Sequence, residues 1–360
     1  MRCSLSLRRG GGVNGEPGGR GAGIERVTLD MGGGGRLSAE LVRDVFLAGY
    51  GNELLERLDD AAEFRLDGAR IAFTTDSYTV KPLFFPGGDI GRLSVCGTVN
   101  DLSVKGARPH AVSAAFVIEE GFPVDGLKRV VRSMRDAAAE AGVRIVTGDT
   151  KVVRRGEADG LFITTSGVGG IIPGMDISCA GARPGDAVIV SGAVGRHGAA
   201  ILNARERLGF EPGPESDVAP VRGIVDALAP VARSLRAMRD PTRGGLAGAL
   251  NEIALASRVA MRIFEDGVPV DAAVRACCAI LGLDPLRLAC EGRVVIIADA
   301  AASGEILLLV RAAGGADAAV IGEVTGPRGD PGVPPVSVES AMGTARLLPL
   351  LDGDPVPRIC

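Results

Sequence analysis

Tryptophan is absent from this chain, tyrosine occurs only twice, and aromatic residues make up 3% of the whole. That argues against recognition by stacking bases on aromatic faces. Nor is there an excess of positive charge. The 40 basic and 44 acidic residues leave a net charge of −4, whereas a nucleic-acid binder carries a basic patch or stripe. No apolar run approaches the roughly 18–20 residues that span a bilayer. Only two histidines occur, His110 and His197, and the seven cysteines include no C-x-x-C pair. This argues against a structural zinc site and against a disulfide framework. The reducing cytoplasm fits best. Lysine is scarce as well: Lys81, Lys105, Lys128 and Lys151 are the four among 40 basic residues. Where arginine supplies plain positive charge, a retained lysine suits a place that needs a compact, titratable ammonium.

What is present is enough chain for two domains, 360 residues of which 46% are apolar. Residues 1–25 are rich in Gly and Arg, and Arg8 and Arg9 break their short apolar patch. They read as a disordered extension rather than a signal peptide. An N-terminal domain is expected over 26–172. It opens with a strand, IERVTLD, then the glycine run Gly32–Gly35 and a helix capped by Ser38. Further strands are expected at 69–75, 111–119, 143–147 and 161–168, with helices at 89–105 and 124–141, the latter stopped by Gly142. Pro173, Gly174, Pro184 and Gly185 mark the change to a second domain over 173–342. There, strands at 187–190, 294–298 and 318–324 alternate with helices near 198–208, 221–228, 244–257 and 300–313. Cys277 and Cys278 are assigned to a half-buried helix with no chemistry. Residues 343–360, broken by Pro349, Gly353, Pro355 and Pro357, form an extended, exposed, mobile tail. The mixture without a strict βαβ rhythm predicts an α+β fold in two layers.

Three acidic turns stand out: Thr74-Thr75-Asp76-Ser77, Val99-Asn100-Asp101-Leu102 and Gly148-Asp149-Thr150-Lys151. Asp76 and Asp149 follow expected strands; Asp101 lies inside a helix. Carboxylate oxygens are what magnesium prefers, usually shared with substrate phosphates. An isolated Asp more often caps a turn; three in one domain point to a metal-nucleotide site. Glycine turns at Gly32–Gly35, Gly87-Gly88 and Gly244-Gly245 precede expected helices, whose unpaired N–H groups suit phosphate, although none matches a Walker pattern. The last residues are Pro357-Arg358-Ile359-Cys360. A thiol on a mobile tail is suited to carrying a covalent group between sites, and a cysteine that ordinarily ionises near 8.5 has some thiolate at neutral pH.

On these residues the chain resembles the HypE family of nickel–iron hydrogenase maturation. The matching segments run from about Val27 to Cys360: TTDSYTVKPLFFPGGDIGRL, CGTVNDLSVKGARP, EEGFP, IVTGDTKVV, SGAVGRHGAAIL, DPTRGG, EGRVVI, IGEV and the closing PRIC. Several belong to a wider ATP-binding superfamily that includes aminoimidazole ribonucleotide synthetase and selenophosphate synthetase; PRIC singles out HypE. The resemblance implies two α+β domains, with the N-terminal one forming a homodimer through a shared β-barrel. It implies that a HypF-type carbamoyltransferase carbamoylates Cys360 and that ATP with Mg2+ drives dehydration of that group to a thiocyanate. The cyano group then passes to iron on a HypC–HypD complex. It implies magnesium and phosphate roles for Asp76, Asp101 and Asp149, with Lys81, Asn100 and Thr150 also on the nucleotide, and Lys151 and Glu291 beside the modified cysteine. Glu291 would be a general base and Lys151 would stabilise a developing negative oxygen. The chain departs from the pattern in having Met31-Gly32-Gly33-Gly34 for His-Gly-x-Gly-Gly, and Cys290 where Asn is expected. A selenophosphate synthetase would need a reactive Cys or selenocysteine in an N-terminal glycine loop followed by Lys, and no lysine precedes Lys81. A nucleotide-binding carrier without catalysis is the other alternative.

Overall fold

The computed structural model describes residues 26–353, 356 and 358–360, so the extension expected over 1–25 lies outside the described residues. The first described segment is not a strand. It closes local turns, Met31 N bonding Thr28 O at 3.2 Å and Gly33 N bonding Asp30 O at 3.2 Å, because no neighbouring strand offers it a ladder. Helix α1 (Arg36–Leu41) runs through a π-helical stretch into α2 (Ala48–Tyr50). The helix is capped at Gly35, not Ser38. Ser38 Oγ instead accepts from Gly34 N at 2.9 Å and donates to Met31 O at 2.6 Å, tying down the glycine loop.

Strands β1 (Ala62–Leu66) and β2 (Ala69–Tyr78) form a hairpin about Asp67-Gly68, both at positive φ, as a two-residue Asp-Gly turn requires. A small hairpin, β3 (Phe84–Phe85) and β4 (Gly88–Asp89), leads into α3 (Ile90–Val104). Asp89 caps it, its Oδ1 accepting from Gly91 N at 2.8 Å and Arg92 N at 3.0 Å. Then follow β5 (Ala107–Glu119), α4 (Val124–Ala141), β6 (Arg144–Val153) and β7 (Leu161–Ile171). The five-stranded sheet has the order β1-β2-β7-β5-β6 and is antiparallel except for β5 with β6. Helix α3 is the central rod: every residue is buried except Arg92 and Asp101, which is why it is apolar almost all round. Strand β6 is the opposite case, an edge strand exposed along nearly its whole length, with Val146 59% and Val152 69% exposed.

The second domain contains β8 (Asp186–Val190), α5 (Arg196–Glu206), α6 (Arg222–Ala227), β9 (Leu235–Arg239), α7 (Gly245–Ser257), β10 (Val259–Phe264), α8 (Ala272–Leu281), β11 (Val295–Asp299), α9 (Ser303–Ala312), β12 (Ala319–Pro327), β13 (Val336–Glu339) and β14 (Ala345–Leu347). Its seven-stranded sheet, in the order β14-β13-β10-β12-β8-β11-β9, is covered on both faces. One core lies against α7 and the other against α6 and α9. The expectation of two layers therefore holds for the first domain and not the second. The run Val188–Val190 and its partner Val295–Ala298 lack polar alternation because both faces are buried. Among the described residues no helix is long and apolar enough to cross a membrane.

A buried ion pair pins the domains together. Lys105 Nζ, 2.7 Å from Asp59 Oδ2, also donates to Ile177 O at 2.6 Å, and Asp59 Oδ1 accepts from Cys179 N at 2.8 Å. The tail is docked rather than exposed. Arg36 N and Leu37 N donate to the carbonyls of Leu351 (2.8 Å) and Asp352 (3.3 Å). Val356 and Ile359 are 1% and 2% exposed within an apolar core to which both domains contribute. Residues 358–360 run antiparallel along 79–81, Thr79 N donating to Cys360 O (3.0 Å) and Lys81 N to Arg358 O (3.4 Å). Proline and glycine keep this segment from folding by itself, yet the buried Val356 and Ile359 together with these backbone bonds seat it against the rest of the chain.

Candidate active site

A cavity of about 410 Å3 opens between the domains. Four parts of the chain build it: the loop Leu29–Gly33, the end of β2 with Thr75–Thr79, the segment Asp240–Arg243, and the tail residues Arg358, Ile359 and Cys360. Asp101 and Gly97 face it from α3, and Glu291 from the loop before β11. At Gly97 a Cβ would run into the Tyr78 hydroxyl, so only glycine lets the helix approach β2 here. Gly34, at φ 74°, lies against Arg243, whose Nη1 donates to Gly32 O at 3.0 Å.

Carboxylates dominate the chemistry. Asp60, Asp101 and Asp240 bring one oxygen each within 4.8 Å of one another. Asp101 Oδ2 accepts from Thr74 Oγ1 at 2.8 Å. Asp60 Oδ1 lies 3.3 Å from Arg239 Nη2, whose guanidinium also binds Glu252 at 2.7 Å. Burial first, and then neighbouring acids, push Asp60 and Asp101 well above the usual carboxylate range, and Asp240 up to about 6. Excess negative charge of this kind, on hard oxygens, fits a divalent cation with phosphate oxygens completing its shell. The residues present fit magnesium, which Asp60, Asp101 and Asp240 would hold.

Glu291 is 2% exposed. Its Oε1 has no hydrogen-bond partner, and its backbone N–H donates to Asp217 Oδ1 at 3.0 Å. Burial, then Asp240, Asp217 and Asp76, raise it well above the usual range. A buried acid with an unpaired oxygen beside a cavity is chemically suited to exchanging a proton with a bound group. The neighbouring Cys290 does not contact the tail. Its Sγ accepts from Gly195 N at 3.1 Å at the start of α5, and burial pushes its thiol up, so it serves as an uncharged cap. Arg243 brings positive charge to the cavity, raised chiefly by the charge on Cys360.

The structure brings Cys360, Glu291, Asp76 and Asp101 together around one cavity. Asp76 lies within β2 rather than after it, and Tyr78 reaches it at 3.4 Å. Asn100 sits behind the wall, fully buried: its Nδ2 donates to Glu291 O (3.2 Å) and Ala219 O (3.1 Å), and its Oδ1 accepts from Val221 N (2.8 Å). It orients the Glu291 loop from the far side. Lys81 lies at the tail, 2.7 Å from Asp159, the same carboxylate that Arg358 binds at 2.7 Å. Asp149, Thr150 and Lys151 do not join the cavity within one subunit. They stand inside the exposed edge strand β6, where Lys151 pairs with Asp149 at 2.7 Å and, with the Thr150 N–H, holds it below its ordinary value. The sequence reading missed Asp60 and Asp240 as acidic groups of this site. Asp240 opens the DPTRGG segment, and that motif, a carboxylate just ahead of a glycine-entered helix, was its available signal.

Two family models match the chain: the AIR synthase related protein N-terminal domain over residues 58–171 and its C-terminal domain over 183–332. Carbamoyl dehydratase HypE of Cupriavidus necator is 48% identical over 93% of this chain and 95% of its own length. That of Escherichia coli K12 is 41% identical over 94% and 100%. A crystal structure of the hydrogenase maturation protein HypE in complex with ATP superposes with a TM-score of 0.77 at 47% identity, covering 92% of this chain and 99% of that one. A HypE–HypF complex gives 0.81 at 46%, covering 86% and 99%. Thiamine monophosphate kinase from Aquifex aeolicus, 18% identical over 87% of this chain and 99% of its own at a TM-score of 0.63, shares the fold alone. The chain belongs to the AIR synthase related proteins and, within them, to the HypE family of carbamoyl dehydratases.

Proposed function

We propose that this protein uses ATP to dehydrate a carbamoyl group carried on Cys360, giving the thiocyanate that supplies cyanide to the iron of a nickel–iron hydrogenase. The observation that carries the reading is the seating of Cys360 in the cavity that is also lined by Asp101 and Asp240 of the carboxylate cluster and by the orphaned Glu291. An amide oxygen leaves poorly. Its phosphorylation converts the S-carboxamide to an S-imidate phosphate with loss of one N–H proton. Cleavage of the C–O bond with loss of the second proton then gives S–C≡N and phosphate. The water removed ends as the bridging oxygen of that phosphate.

Phosphoryl transfer needs positioning and charge neutralisation above all. Asp60, Asp101 and Asp240 hold magnesium, which neutralises triphosphate charge when bound. The Gly32–Gly33 loop and Arg243 face the phosphates. Glu291, which lines the cavity with an unpaired oxygen, would take a proton from the carboxamide nitrogen. Asp149, Thr150 and Lys151 act in the cavity of a second copy. The apolar edge strand β6 is what the homodimer covers, in a shared barrel, so that Lys151 reaches the developing negative oxygen across the interface. The tail leaves its seat to be loaded by a HypF-type carbamoyltransferase and, after dehydration, to hand cyanide to the iron on a HypC–HypD complex.

The test is intact mass and peptide mapping after incubation with the carbamoylating partner, carbamoyl phosphate, ATP and magnesium. A carbamoyl adduct on Cys360 that then loses one water, and keeps it in Asp101→Asn, is the expected result. An adduct that never loses water leaves a carrier. No adduct with a demonstrably active partner overturns the reading.

A further inference from the structure

His197, the second residue of α5, is fully buried and lies outside the cavity wall, so it touches no reacting atom. Both ring nitrogens are engaged. Nδ1 is 2.7 Å from Ser216 Oγ and Nε2 is 2.8 Å from the carbonyl oxygen of Ile359. The directions follow from the partners. A carbonyl only accepts, so Nε2 carries the proton and Nδ1 must accept. Ser216 Oγ already accepts from Val218 N at 3.1 Å and gives its own proton to Nδ1. The Phe85 ring meets the imidazole edge to face, with centroids 5.4 Å apart at 86°, which fixes the ring plane. A relay from Val218 N–H through Ser216 and His197 thus ends on the peptide immediately before Cys360. Burial pushes the imidazole below its ordinary value, keeping it neutral with a single N–H to give. The tail has other clamps on either side of this bond: Arg205 Nη2 donates to Arg358 O at 2.8 Å, Arg358 Nε to Thr79 O at 3.1 Å, and Thr79 N and Oγ1 to Cys360 O at 3.0 and 3.2 Å; His197, unlike Thr79 and Arg205, is fully buried.

We infer that His197 is a positioning residue for the dehydration: its Nε2–H, in a tautomer set by Ser216, holds the Ile359 carbonyl and so registers Cys360 in the cavity. The inference rests on the tail-substrate reading above. When the tail withdraws, this buried donor loses its acceptor and solvent cannot replace it in place, so the bond favours the seated tail alongside the contacts of Thr79 and Arg205. Glutamine can set its amide nitrogen where Nε2 stands. Asparagine reaches only to the position of Nδ1.

The experiment compares wild type, His197→Gln and His197→Asn in two assays. One is the rate at which a small maleimide alkylates Cys360, mapped by peptide mass. The other is single-turnover dehydration of protein already carbamoylated on Cys360. His197→Asn is expected to raise alkylation and lower the dehydration rate by roughly tenfold each, the scale of one buried hydrogen bond left unmade. His197→Gln is expected to restore both to within about twofold. Equal behaviour of the two variants overturns the inference. If asparagine prevents folding, Ser216→Ala keeps the ring but removes the proton that sets its tautomer, and must raise alkylation in the same direction; an unchanged rate overturns it. Alkylation needs no turnover, so a wild type that fails to dehydrate indicts the functional reading and leaves the seating result standing.

Discussion

Replacing Asp240 by asparagine should make the ligand-free protein more stable at neutral pH while destroying its activity. Asp240 is 5% exposed, and burial together with its acidic neighbours raises it from 3.8 to about 6. A folded value above the unfolded one means that the group favours folding below 3.8, and that this contribution is lost as pH climbs through about 6. The interval is about two pH units at about 1.4 kcal/mol each, so the ionised carboxylate costs the ligand-free fold up to about 3 kcal/mol. The carboxamide of the D240N variant has the shape of the neutral acid and escapes that cost. It also relieves Asp101, raised in part by Asp240. Urea unfolding in a chelator near neutral pH should therefore show the variant more stable by about 1–3 kcal/mol, with the gap closing as pH falls to about 4. Adding magnesium and ATP should reverse the order, because only the wild type gains binding energy. A variant less stable than wild type in chelator at neutral pH would mean that the carboxylate stabilises the resting fold, through Arg239 for instance, and would refute the picture of a cluster kept poised for a cation.

Lys105→Met removes one half of a pair whose side chains are 3% and 5% exposed. Urea denaturation should show a loss of about 3–5 kcal/mol, with much of it recovered when Asp59→Asn is added. Glu291→Gln should bind ATP like wild type in equilibrium dialysis yet dehydrate at least about 100-fold more slowly. Lys151→Ala subunits keep an intact tail and cavity, whereas Cys360→Ser subunits keep an intact β6. Each should be inactive alone and dehydrate when mixed and refolded together; no recovery on mixing would place Lys151 in its own subunit's chemistry or in none.

Where a helix has both a periodic face and an end signal, the sequence was legible almost to the residue. Val124–Ala141, with Gly142 behind it, is the example; α3, apolar almost all round, was bounded instead by the PGGD turn at its entry. The hairpin at Asp67-Gly68 was legible yet unread: Ala62–Leu66 alternates apolar and polar residues and an Asp-Gly turn follows it, but the run is only five residues long. Residues 143–153 read as a short strand followed by an acidic turn, yet form one continuous edge strand. The parallel partner β5 supplies the ladder, and ladders join residues far apart in sequence. The same distance hid the cation cluster: Asp60, Asp101 and Asp240 come from three separate stretches and share no local pattern. The tail's docking was illegible for another reason. Prolines predict that a segment will not fold alone, and say nothing of a groove made elsewhere for Val356 and Ile359.

The bonds from Arg36 N and Leu37 N to the carbonyls of Leu351 and Asp352 join the chain's early helix to the root of the tail. These donors lie in the first turn of α1, where a helix has no carbonyl of its own to offer. Their exchange with deuterated solvent is therefore slowed by the tail and by nothing inside the helix. Deuterium uptake at these two amides during turnover would therefore tell whether the root of the tail opens, without any label on the cysteine.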